Sequence, residues 1–226
     1  VSYAWHFSRI INEMANGGKN VNALEKYFTK YAQDFPDDGI RMNFTTNHDQ
    51  NSWEGSVYER FGKAANTYFT LVATMPGIPL IYSGQEIGLD RRLPFFEHDP
   101  INWNAGKDLM PYFKTLVELK RNNRALWNGK YGGDIHILNI PNNTRVFAYY
   151  REKENDKILT VLNFSGTTKS VNLRGSMYTG DYTEVFTNKK ATFKGDDRIT
   201  LEPYGYKVFE HTTEKSEGQA RKIGEI

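Results

Sequence analysis

The chain of 226 residues carries 29 Lys and Arg against 27 Asp and Glu, a formal net charge of +2, so its charge balance points to neither a nucleic-acid nor a membrane surface. It contains no cysteine, which excludes disulfides and thiolate metal sites but fits a reduced cytoplasm and a disulfide-free secreted protein equally, and localisation stays open. The length allows one large core or two modest ones, no apolar run is long enough to span a membrane, and an aromatic content of 14% suits a sugar binder and any large core alike.

In chain order, Phe7, Ile10, Ile11 and Met14 recur at three- and four-residue steps and predict a helix over residues 5–14, stopped by Asn16-Gly17-Gly18. A second helix begins near Asn22, with Leu24, Tyr27, Phe28 and Tyr31 on its apolar face, and a turn at 34–39 delivers the chain into a strand around Met42. That strand runs through Phe44, Thr45 and Thr46, which favour extended backbone, into Asn47, His48 and Asp49. Three side chains that donate, accept or titrate arrive there together, as at the mouth of a site. A simple turn explains them as well, because Asn and Asp bond their own backbone readily. Apolar residues at Phe61, Ala64, Ala65, Tyr68, Phe69 and Val72 then predict a helix over 58–75. Pro76-Gly77 ends it, and 78–82 reads as a short buried strand closed by polar residues at 83–86. Strand, helix, strand is the pattern of a parallel α/β sheet or barrel.

These residues resemble the α-amylase family, glycoside hydrolase family thirteen. Phe44, Asn47, His48 and Asp49 match its last catalytic motif, Phe-x-x-Asn-His-Asp, and residues 75–88 resemble its approach to the eighth barrel strand. The resemblance implies the C-terminal part of a (β/α)8 TIM barrel. It implies that Asp49 stabilises the transition state, that His48 holds hydroxyls of the same sugar, and that Asn47 orients the strand end. Arg60-Phe61-Gly62 also agrees with the family, whereas Ser52 stands where many members have Arg. Trp53 beside it reads either as a sugar platform or as a loop anchor. The implied activity is retaining cleavage of α-1,4-glucosidic bonds, with an α-glucan or maltooligosaccharide as substrate. A glucosyltransferase or isomerase of the same family, or a non-catalytic scaffold or binding protein, is the alternative.

The family's nucleophilic Asp and acidic Glu sit on its fourth and fifth strands, and no segment here matches those motifs. A full barrel takes about 250 residues, so the expectation is a C-terminal fragment of a larger enzyme, inactive by itself. No cofactor is expected in the chain. The family's structural calcium ligands lie mostly upstream, so calcium is implied only for the parent protein.

Residues 89–103 mix charged and aromatic side chains, among them Arg91, Arg92, Phe95, Phe96, Glu97, His98, Asp99 and Trp103. On a barrel this would be the loop after the eighth strand, where ligand contacts tend to lie. Phe113, Leu116, Val117 and Leu119 predict a last barrel helix over 110–126. After Gly129 the pattern changes to strands at 135–140, 146–151, 157–164, 169–173, 182–186, 198–201 and 206–210, an antiparallel β-sandwich like the family's C-terminal domain. The division expected is therefore a partial barrel over 1–128, a β domain closing its own core over 129–211, and a polar tail over 212–226.

Overall fold

The computed structural model describes residues 1–34, 36 and 39–211. Strands and helices alternate in the first half as β1 (Ser2–Tyr3), α1 (Trp5–Ala15), α2 (Asn22–Asp34), β2 (Arg41–Asn43), α3 (Val57–Phe61), α4 (Ala65–Thr74) and β3 (Ile78–Pro79). The three strands are parallel in the order β1-β2-β3, with Tyr3 opposite Met42 and Asn43 opposite Pro79. Parallel strands need crossover helices that cover the sheet, and the periodicity supplies them. Phe7, Ile10, Ile11 and Met14 of α1 and Leu24, Tyr27 and Phe28 of α2 are all buried. The Tyr31 side chain, Phe35, Asp37 and Asp38 of the expected turn, and the expected tail 212–226 lie outside the described residues.

Three expectations need correction. The single helix over 58–75 is two helices, because Gly62 turns the chain at φ 53° and ψ −133°, a conformation that suits glycine, before a 3-10 turn leads into α4. The strand over 78–82 keeps only Ile78 and Pro79. Pro79 has no N–H to extend the ladder, and after the Leu80 N–H donates to the Asn43 carbonyl at 2.8 Å the chain leaves the sheet. The helix over 110–126 is α5 (Met110–Asn122) followed by a separate 3-10 turn, Arg124–Leu126, with the Asn123 side chain accepting from the Ala125 N–H at 3.0 Å.

The second half is antiparallel. Strands β4 (Ile135–Ile137), β5 (Val146–Lys153), β6 (Asp156–Asn163), β8 (Gly180–Glu184), β9 (Lys190–Phe193) and β11 (Tyr206–His211) form one sheet in the order β4-β5-β6-β11-β8-β9. Strands β7 (Lys169–Arg174) and β10 (Asp196–Leu201) pair as a second. β9 is an addition to the seven expected strands. Alternation along β5 decides how the halves meet. Val146, Ala148 and Tyr150 enter a core confined to the β region, together with Leu159, Leu173 and Leu201. Phe147 and Tyr149 point the other way, into the core built by α1, α2 and α4. Phe28 stacks on Phe147 at 6.1 Å, and the rings of Tyr68 and Phe164 lie 4.7 Å apart. One face of the large sheet thus closes a core of its own, while the other shares a core with the helical half.

Candidate active site at the end of strand β2

Beyond β2 the chain stays buried through Phe44, Thr45, Thr46 and Asn47, then surfaces at His48 and Asp49. Two long-range bonds hold this segment in place. The Thr45 carbonyl accepts from Arg60 Nη2 at 2.7 Å, and its hydroxyl accepts from Gln85 Nε2 at 3.1 Å. Asn47 starts the turn that follows. Its Oδ1 accepts from the Gln50 N–H at 2.9 Å and its carbonyl from the Asn51 N–H at 2.9 Å, and the chain then winds through a π-helical turn over Gln50–Glu54. Gln50 in turn donates to the Ser8 hydroxyl at 2.7 Å, which fastens the turn to α1.

His48 and Asp49 therefore stand at the C-terminal end of the central parallel strand, with their side chains 52% and 44% exposed and Nε2 3.6 Å from Oδ1. In parallel α/β folds that end of the strands is where ligands bind. A carboxylate placed there is open to a ligand from solvent and carries an imidazole beside it. Asn47 is buried, and its Nδ2 has no partner among the described residues.

Trp53 is 64% exposed. Its ring meets Phe95 at 5.7 Å, and Phe95 meets His48 at 5.5 Å. Phe95 lies in the 89–103 loop, where ligand contacts are expected, but its place beside His48 depends on a set of bonds between segments forty residues apart. The Leu93 N–H donates to Asn51 Oδ1 at 2.7 Å, Asn51 Nδ2 donates to the Arg91 carbonyl at 3.1 Å, and the Ser52 hydroxyl donates to the Leu93 carbonyl at 2.6 Å. Ser52, where the family often carries Arg, is here part of that clasp. His98 and Asp99 do not join His48. Asp99 pairs with Arg91, which holds its carboxyl below the usual carboxylate range.

Among the described residues no three His, Asp or Glu side chains gather as they would to hold a metal ion. No described helix is long and apolar enough to cross a membrane.

Residues 4–129 match the family model described as the alpha amylase catalytic domain, and residues 135–208 match the maltogenic amylase C-terminal domain. The chain is 28% identical to the alpha-amylase MalA of Haloarcula japonica over 77% of its own length and 25% of that protein's. A cyclomaltodextrinase from a Bacillus species is 31% identical over 46% of this chain and 18% of the relative. The chain thus spans about a quarter or less of the length of these curated relatives. Among solved structures, the maltogenic alpha-amylase AmyB of Thermotoga neapolitana superposes with a TM-score of 0.78 at 18% identity, covering 93% of this chain and 50% of that one. An alpha-amylase from Lactobacillus plantarum gives 0.75 at 17% identity over 93% and 47%. The fold is thereby that of the C-terminal part of an amylase (β/α)8 barrel with its antiparallel β-sandwich. With more than half of its residues matched to the catalytic domain, the chain belongs to the α-amylase family.

Proposed function

We propose that this chain supplies the transition-state-stabilising carboxylate of a retaining hydrolase of α-1,4-linked glucans. The observation that carries the reading is Asp49, a solvent-accessible carboxylate at the C-terminal end of a parallel strand with His48 3.6 Å away. Retaining glycosidases use one carboxylate as nucleophile and a protonated one as acid, and pass through a transition state resembling an oxocarbenium ion. Asp49 takes neither of those roles. It accepts hydrogen bonds from hydroxyls of the distorted sugar, and these strengthen as positive charge develops on the ring. His48 binds a neighbouring hydroxyl of the same sugar. Asn47, tied to the Gln50 N–H at 2.9 Å, sets the direction in which the strand end presents both groups. On this reading neither the nucleophile nor the acid is among these residues, and the chain by itself turns over no substrate.

Starch-like glucans and maltooligosaccharides are the substrates this reading assigns. Nuclear magnetic resonance of the first products released from maltooligosaccharides by the full-length protein tests it. Retention gives the α-anomer first. The β-anomer first, or glucosyl transfer without hydrolysis, would move the protein to another reaction class.

A further inference from the structure

We infer that Phe95, together with Trp53, forms a stacking platform for the glucosyl unit next to the one held by His48 and Asp49, and that this platform sets a preference for longer glucan chains. The inference rests on the function proposed above for Asp49 and adds two further points to it: the residue that selects chain length and the device that holds it.

Three large aromatic rings share one patch of surface beside the candidate site. Trp53 is 64% exposed, Phe95 38% and Phe96 86%. Phe95 is the central member, 5.7 Å from Trp53, 4.7 Å from Phe96 and 5.5 Å from the His48 ring. Clustered exposed apolar rings mark a surface that binds either a ligand or other protein. Continuity with His48 says which ligand, because a sugar chain whose one unit lies on His48 and Asp49 must extend across a neighbouring surface. Pyranose rings offer flat C–H faces that suit aromatic faces.

The patch is also held still. Besides the Asn51 and Ser52 bonds to the 91–93 backbone, Arg92 grips Glu59 through two bonds of 3.1 Å, and the Ser56 hydroxyl donates to Asp90 at 2.5 Å. A platform fixed in advance spends less of its binding energy on ordering loops. Asn51 acts as a positioning residue here, since its amide bonds the segments that carry both rings and reaches no ligand itself.

The test is steady-state kinetics of the full-length enzyme on maltotriose and maltoheptaose. For Phe95→Ala the ratio of kcat/KM for maltoheptaose to that for maltotriose falls about tenfold, mostly through KM, the size expected for one lost aromatic contact. Phe95→Trp restores most of the ratio, and Asn51→Ala lowers it in the same direction. An unchanged ratio in Phe95→Ala, as would follow if another segment of the whole protein covers the patch, overturns the inference. So does an equal loss at both lengths. Asp49→Asn in parallel separates the two readings: if it abolishes turnover while the Phe95→Ala ratio is unchanged, only the platform is wrong.

Discussion

The Arg60 guanidinium donates through Nη2 to the main-chain carbonyl of Thr45 at 2.7 Å, two residues before Asn47. Its Nη1 donates to Asn12 Oδ1 at 3.0 Å and its Nε to the Gly55 carbonyl at 3.1 Å, so one cation ties α1, the end of β2 and the start of α3. Burial pulls its pKa down to about 10.

No other side chain offers that fork of donors, and an ammonium cannot reproduce it. Arg60→Ala is expected to lower stability by about 3 kcal/mol and Arg60→Lys by about 2, through acceptors left unpaired. Urea denaturation measures both. A lysine variant as stable as the parent would show that charge, rather than the fork, matters at this position.

Arg151 joins the two halves. It is 1% exposed and donates to the carbonyls of Gly133 at 2.9 Å, Trp127 at 2.9 Å and Thr74 at 3.2 Å. Thr74 is the last residue of α4, where carbonyls lack helical partners and the helix dipole favours a cation. The approach is close enough that a Cβ on Gly132 would come within 1.8 Å of the Trp127 carbonyl oxygen. Arg151→Met keeps the length and loses every donor, and it is expected to cost about 3 kcal/mol or more. A loss under about 1 kcal/mol in urea titration would remove Arg151 as the junction between the halves.

Lys120 donates to the Leu126 carbonyl at 2.6 Å, and burial, with the Arg151 charge as a smaller cause, pulls its pKa from 10.5 to about 7. Between those two values the unfolded chain holds a proton that the folded one has released. Raising the pH from 7 toward 10.5 therefore favours the folded state at this site. Below pH 7 both states are protonated, and the folded state bears the whole cost of the buried ammonium. Lys120→Met should lack this rise, so the parent gains on the variant between pH 6.5 and pH 9 in urea titrations. Parallel pH profiles would contradict it.

Much of this was legible in the sequence where the signal is local. Asn47, His48 and Asp49 are consecutive, and the period of α1 is set by Phe7, Ile10, Ile11 and Met14, which need no distant partner to be read. The break at Gly62 was not, because Phe61, Ala64, Ala65 and Tyr68 keep helical spacing across it, and only the positive φ reveals the turn. β9 escaped because Lys190–Phe193 places only one fully buried apolar side chain, Phe193, on the core. The contact between Trp53 and Phe95 depends on the Asn51 clasp to residues 91–93. No pattern of either segment alone announces it. The shared core was hidden for the same reason: alternation along β5 shows two buried faces, but not what covers each.

The central claim is that Asp49 acts on the reacting sugar, and Asp49→Asn in the full-length enzyme tests it most directly. The amide keeps the size of the carboxylate and removes its charge. Turnover of maltooligosaccharides, measured as kcat with folding checked by circular dichroism, should fall about a thousandfold or more. A folded Asp49→Asn enzyme with kcat within about threefold of the parent would contradict the claim.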